Sequence, residues 1–184
     1  MHEGPSHHAG RRETPSQTAG PYLHIGMLPA HAGVRYRPLS SDTLAGAGEP
    51  LVIEGRVFDG VGAPCRDMLV ELWQADADGR HDGTFRGFAR SGTDFQTGEF
   101  RFSTVRPGAR TGAPFVSLWL ASRGLNMGLQ TRMYFPDEPR NDTDPVLSRI
   151  ESLRRHTLVA RAIGGRLVFD IHLQGPQETV FFDV

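Results

Sequence analysis

The hydrophobic rhythm of this 184-residue chain changes once, near Pro50. Before that point apolar residues are sparse and without period. After it they recur with the two-residue period of strands, whose successive side chains point to opposite faces. Leu51–Phe58 (LVIEGRVF) is rich in β-forming residues and stops at Asp59-Gly60, a turn signal. Met68–Gln74 sets Leu69, Glu71 and Trp73 on one face against Met68, Val70 and Leu72 on the other, and ends at Ala75–Gly79 (ADADG). Phe100 and Phe102 alternate with Arg101 and Ser103 before Arg106-Pro107-Gly108, and further strands are expected at 115–120, 129–135, 166–173 and 179–182. One helix is expected over 145–156. Asp144 stands as its cap, Pro145 at its first position, Val146, Leu147, Ile150 and Leu153 as its apolar stripe, and Arg154 and Arg155 at its C-terminal end. Strands spaced 12 to 20 residues apart with turn residues between them predict an all-β domain, an antiparallel β-sandwich carrying one short helix. Its expected bounds are 49–184. Residues 1–48 read as a His-rich tail followed by a long Pro/Gly/Ser-rich arm, and a segment of that length usually docks on something, either the domain itself or a partner chain.

Composition removes several chemistries. All 20 basic residues are Arg, so a P-loop lysine, a Schiff base and a Ser-Lys dyad are excluded. A net charge of −1 gives no electrostatic reason to expect nucleic acid or an anionic membrane. The single cysteine, Cys65, in the turn-like GAPC, allows no internal disulfide and no thiolate-built metal site. The N-terminus lacks the apolar region of a secretory signal, and no run of 18 apolar residues occurs, so a cytoplasmic domain is expected.

The candidate chemical motifs mostly fail. His7 and His8 lie in the tail; His24 and His31 are seven apart with no acidic residue nearby; His81 follows a turn; His172 shares a strand face with Asp170. None forms a His-x-His or HExxH motif. Counted as a calcium loop from Asp76, the stretch DADGRHDG puts His81 where Gly is needed and Gly87 where Glu is needed, so a hairpin turn fits better. No GxSxG occurs. On motifs alone the domain carries no catalytic apparatus of its own. Arg132, inside Thr131–Pro136 (TRMYFP), stands between apolar residues of an expected strand. Such a guanidinium either pairs with an acidic residue or faces an anionic ligand. Its planar fork suits a carboxylate.

Six segments together resemble the intradiol ring-cleaving dioxygenases: TPSQTAGPYLHIG (14–26), ELWQADADGR (71–80), TVRPG (104–108), SLWLASRGLNMGLQTRMYFPDE (117–138), NDTDPVL (141–147) and LQGPQETVFFD (173–183). They run in order through nearly all of residues 14–183. The resemblance implies a β-sandwich and an Fe(III) centre held by two Tyr and two His. At the matching positions this chain has Ala109 for one Tyr and Phe115 and Ser117 for the two His, and it lacks the insertion between Arg80 and Phe85 that would bring the other Tyr. It therefore resembles the iron-free chain of the two-chain members, with no metal ligand and no catalytic residue of its own. The resemblance then implies that iron is held by a catalytic beta subunit in an αβ hetero-oligomer, and that the substrates are O2 and protocatechuate, 3,4-dihydroxybenzoate. By the same resemblance Thr18, Gly20, Pro21 and Arg132 line the substrate pocket, Arg132 facing the substrate carboxylate. Two competing expectations remain: a self-sufficient dioxygenase using His81, His156 or His172 as ligands, and a transthyretin-like binding module without catalysis.

Overall fold

The computed structural model describes residues 17–20, 22–35 and 40–183. Among these described residues nine strands form two sheets. The first is built around β1 (Pro50–Phe58), paired antiparallel with β4 (Glu99–Val105) in a register that sets Ile53 opposite Phe102. Along the other edge of β1 run two short parallel strands, β8 (Arg166–Val168) and β9 (Ile171–His172), and β7 (Arg161–Ile163) closes a hairpin with β8. The second sheet is wholly antiparallel, in the order β3 (Phe88–Gly92), β2 (Leu69–Trp73), β5 (Phe115–Ala121), β6 (Leu129–Tyr134). The expected all-β sandwich is present.

The alternation read from the sequence explains the packing. Ile53, Val57, Phe100 and Phe102 of the first sheet meet Met68, Val70, Leu72, Val116, Leu118, Leu120 and Met133 of the second in one buried core. One glycine is needed for this closure. A Cβ on Gly55 would sit 2.0 Å from the Phe169 carbonyl oxygen, where the chain leaves β8 and steps over β1 into β9. A second, smaller cluster of Ala113, Tyr134, Leu147, Leu158 and Val180 covers the outer side of β6.

The structure corrects the expected helix. Residues 145–156 hold only short 3-10 turns, Leu147–Arg149 and, beyond an extended Ile150, Arg155–Leu158. Leu147 and Leu158 both plug the cluster against Tyr134, whereas eleven residues of α-helix would set them about 16 Å apart. Packing thus overrides the helical pattern, and Leu153 of the expected stripe is exposed. The single α-helix of the described residues is instead α1, Leu23–Met27, in the arm. The expected strand at 179–182 is reduced to one bridge, Phe182 to Gln130.

The described part of the arm rests on its own chain. Leu28 packs over Gly92, Arg90 Nη1 donates to the Met27 carbonyl, and the N–H of Leu44 donates to the Ser103 carbonyl. His24 is buried, stacked on His31 and tilted against Phe95, while His31 Nε2 donates to the Thr93 carbonyl at 3.0 Å. Arg90 also grips Glu71 from Nε at 2.8 Å and Nη2 at 2.6 Å.

Candidate functional site

A cleft of about 280 Å3 opens at one end of the second sheet. Its walls are the turn 75–81, the loop 108–114 and the start of β5. Gln74, buried at the end of β2, locks these walls: its Nε2 donates to the Val105 carbonyl at 2.8 Å, and its Oε1 accepts from the Thr104 hydroxyl at 2.9 Å. Gly108 then lies so close to the Ala77 carbonyl oxygen that a Cβ would meet it at 2.2 Å. The turn is a hairpin turn, as the sequence suggested. Asp76 accepts from the N–H groups of Asp78 and Arg80, and the Arg80 guanidinium bridges Asp76 and Asp78. The Arg80 N–H bond, first among several, holds the Asp76 carboxyl below the usual carboxylate range.

Ala109, Phe115 and Ser117, distant in sequence, line this cleft together with His81. The Ser117 hydroxyl accepts from Gln130 Nε2 at 2.9 Å. Arg132 stands beside the cleft, directly across from Ser117 on β6. Its guanidinium carbon lies 4.1 Å from the centroid of the Phe115 ring and 5.4 Å from that of Phe182, within the range of cation–π attraction. No carboxylate among the described residues forms an ion pair with it, although eleven other Arg–carboxylate contacts are present. Of the two options the sequence left open, an acidic partner is absent among the described residues. Most of the five donors of Arg132 have no partner among those residues either.

The other expected pocket residues lie elsewhere. The Thr18 hydroxyl donates to the Ser122 carbonyl and accepts from the Gly124 N–H, and the Gly20 carbonyl accepts from the Leu23 N–H at the start of α1. Pro21 falls outside the described residues. Ser122 is five residues along the chain from Ser117, roughly 17 Å of extended strand. Within this chain, then, Thr18 and Gly20 are not brought together with Arg132. The three histidines considered as metal ligands also fail to converge: His81 lines the small cleft, while His156 and His172 line a separate hollow of about 700 Å3 beside the Arg161–Asp170 ion pair. Two groups escaped the sequence reading, the Glu71–Arg90 pair under the arm and the Tyr134–Asp144 contact behind Arg132. The first joins two strands and had no local signal; the second had one, since Asp144 was already marked as a cap.

Comparison with known proteins places this geometry. A family model described as Dioxygenase matches residues 29–114. The protocatechuate 3,4-dioxygenase alpha chain of Pseudomonas putida is 42% identical over 93% of this chain and 96% of its own length, and that of Burkholderia cepacia 41% over 94% and 98%. The chain belongs to the intradiol ring-cleaving dioxygenase family. The beta chain of Burkholderia cepacia protocatechuate 3,4-dioxygenase is a more distant relative, 34% identical over 72% of this chain and 67% of its own. Among solved structures, the dioxygenase domain of a dioxygenase–carbohydrate-binding fusion from Streptomyces sp. SirexAA-E superposes with a TM-score of 0.61 at 27% identity, covering 92% of this chain and 100% of that one.

Intradiol dioxygenases are iron-dependent, and the donors in this cleft do not fit an iron ion. Ala109 and Phe115 carry no donor atom, Ser117 is engaged by Gln130, and His81 is the single imidazole of the lining. Among the described residues no group of three or more His, Cys, Asp or Glu is placed to hold a metal. Tyr134 is buried away from the cleft with its hydroxyl toward Asp144, and burial, first of all, raises its pKa. Tyr22 is exposed in the arm. Among the described residues, no helix is long and apolar enough to cross a membrane.

Proposed function

We propose that this chain is the alpha subunit of a cytoplasmic protocatechuate 3,4-dioxygenase and works only in an αβ hetero-oligomer with an iron-bearing beta subunit. The complex consumes 3,4-dihydroxybenzoate and O2 and yields 3-carboxy-cis,cis-muconate, both oxygen atoms entering the product. The Fe(III) and the chemistry it supplies are assigned to the beta chain. This chain supplies pocket wall and a carboxylate clamp. The observation that carries the reading is Arg132: a half-buried guanidinium between two aromatic rings, with no acidic partner among the described residues, beside a cleft lined by alanine, phenylalanine and serine. Such a cation is suited to hold the benzoate carboxylate in a partly dried pocket and so to fix the ring's orientation. Thr18, Gly20 and Pro21 of the arm complete the pocket once the beta chain is docked, and the outer side of the arm packs on that chain.

The test is to co-express the chain with a beta chain bearing the two-Tyr, two-His iron set, separate the two, and assay iron in each. Iron is expected with the beta chain alone, and activity only after mixing. A red, iron-loaded preparation of this chain by itself would overturn the reading. In the active complex, Arg132→Ala is expected to raise KM for protocatechuate about 10- to 100-fold, the worth of a charge-assisted hydrogen-bonded pair. For catechol, which has no carboxylate, the rise should be far smaller. Equal effects on both substrates would remove the clamp.

A further inference from the structure

Behind Arg132 stands a chain of polar contacts that the family reading does not use. Arg132 Nη1 donates to the Tyr134 hydroxyl oxygen at 3.5 Å, and that hydroxyl in turn donates to Asp144 Oδ1 at 3.3 Å. Tyr134 is fully buried and Asp144 nearly so. The carboxylate is held from all sides: Oδ1 also accepts from the N–H groups of Val146 and Leu147, each at 2.9 Å, and Oδ2 from the N–H of Ala113 at 2.9 Å. Burial pushes the Asp144 pKa up, but the Leu147, Ala113 and Val146 N–H donors and the Tyr134 hydroxyl outweigh it, so the group stays below its ordinary value and ionised. A tyrosine hydroxyl has one proton. With that proton committed to a carboxylate, its oxygen lone pairs are left for a donor, and the donor present is Arg132.

The same carboxylate reaches the other side of Arg132. Ala113 lies two residues before Phe115, whose ring covers the guanidinium, so the Asp144–Ala113 bond fixes the loop that delivers that ring. Gly112, at φ +66°, lets the loop pass: a Cβ there would meet Asp144 Oδ2 at 2.6 Å. One buried anion therefore orients both the ring on the face of the guanidinium and the hydroxyl at one of its terminal nitrogens, without making an ion pair with it.

We infer that Tyr134 and Asp144 are positioning residues for carboxylate recognition: Asp144 orders the Tyr134 hydroxyl and the Phe115 loop, and these together set the orientation of Arg132 toward an aromatic carboxylate. The inference rests on the proposed clamp role of Arg132. Direct pairing of Asp144 with Arg132 would have neutralised the clamp; routing the contact through a neutral hydroxyl orients the cation and leaves its charge for the substrate.

The experiment uses the αβ complex and a substrate pair, protocatechuate and catechol. Tyr134→Phe removes the hydroxyl and keeps the ring in the buried cluster. It is expected to lower the ratio of kcat/KM for protocatechuate over that for catechol about 3- to 10-fold, the size of one lost hydrogen bond, mostly through KM. In Arg132→Ala, adding Tyr134→Phe is expected to lower the ratio no further, because both act through the same group. The inference fails if Tyr134→Phe moves both substrates equally, or if its effect persists undiminished in the double variant. If Arg132→Ala itself weakens protocatechuate and catechol turnover equally, the clamp reading falls first. Asp144→Asn, which keeps the size and one acceptor, should reproduce the ratio change of Tyr134→Phe; an unchanged ratio in a folded Asp144→Asn complex removes Asp144 from the relay.

Discussion

The outer face of the second sheet is finished in two different ways. Over β2 and β3 the chain closes it with its own arm: Leu28 packs on Gly92, His24 and His31 stack on each other and tilt against Phe95, and Arg90 is matched by Glu71 and by the Met27 carbonyl. Over β5 and β6 the small cleft stays open, and the cation beside it, Arg132, has aromatic neighbours but no anion among the described residues. The two arginines occupy similar positions on neighbouring parts of one sheet. One is a fastening whose charge is satisfied within the fold; the other has no acidic partner among the described residues. Uncompensated charge at a partly desolvated position costs folding energy, and that asymmetry is what the proposed clamp rests on.

The largest expected effect breaks the closed half. Glu71→Ala leaves Arg90 without its anion between the arm and the sheet. With both side chains mostly shielded, the loss is expected to be about 2–3 kcal/mol of unfolding free energy, somewhat below that of a fully buried pair. Removing Arg132, by Arg132→Met, breaks no ion pair and is expected to change stability by less than about 1 kcal/mol. Denaturant unfolding of the two variants measures the contrast directly. Equal losses would mean that Arg132 is as structural as Arg90.

How much of this was legible in the sequence differs between the two halves as well. The period-two pattern located β1, β2, β4, β5 and β6, because one face of each is packed into the core and the alternation is then obligatory. It missed β3 (FARSG) and β7 (RAI), where short polar strands carry too few apolar positions to show a period. It turned 145–156 into a helix because the spacing of Val146, Leu147 and Ile150 is helical, while the need to seat Leu147 and Leu158 in one cluster is a tertiary fact. Glu71 read as one position on a strand face shared with Leu69 and Trp73; that it meets Arg90 beneath the arm depends on strand pairing and on a sequence separation of 63 between Met27 and Arg90. For the open half, local sequence singled out Arg132 as a charge among apolar neighbours but could not show whether one of 21 acidic residues would reach it. The pocket assignment of Thr18, Gly20 and Pro21 came from family resemblance alone, since no periodicity or charge pattern distinguishes them.

Acid should open the closed half before it disturbs the other. His24 has its pKa lowered by burial, then by His31 and Arg123, with Asp67 opposing, and its Nε2 has no hydrogen-bond partner among the described residues. Asp94, facing His31 from the β3–β4 turn, stays ionised well into acid because Thr97 and Gln96 N–H groups bond its carboxylate. Since the folded pKa of His24 lies below the unfolded value, the unfolded arm binds the extra proton. Stability is therefore unaffected above about pH 6.5, falls as pH drops below it, and levels off once the folded group is itself protonated. Between pH 7.5 and pH 5 the protection factors of residues 22–35, taken relative to the intrinsic exchange rate at each pH, are expected to fall while those of β5 and β6 change less. His24→Phe should flatten that dependence, and a uniform loss of protection in both halves would place the acid sensitivity outside the arm.

The smallest effect concerns Thr18, a proposed pocket residue that spans both halves. Thr18 belongs to the arm, yet its hydroxyl bonds at the Ser122–Gly124 turn that joins β5 to β6. Thr18→Val keeps the shape and removes both hydrogen bonds, for an expected loss of about 0.5–1.5 kcal/mol, because the groups left behind remain within reach of water. That loss should appear as faster exchange at the Gly124 N–H and earlier proteolytic cutting near Thr18, with the global unfolding midpoint nearly unchanged. If Thr18 also lines the substrate pocket of the complex, the variant will in addition raise KM for protocatechuate and catechol by similar factors, since a hydroxyl lying so far from Arg132 has no means of sensing the carboxylate. A protocatechuate-selective effect would instead mean that the beta chain draws the arm toward Arg132, merging the two halves of the face that the isolated chain keeps apart.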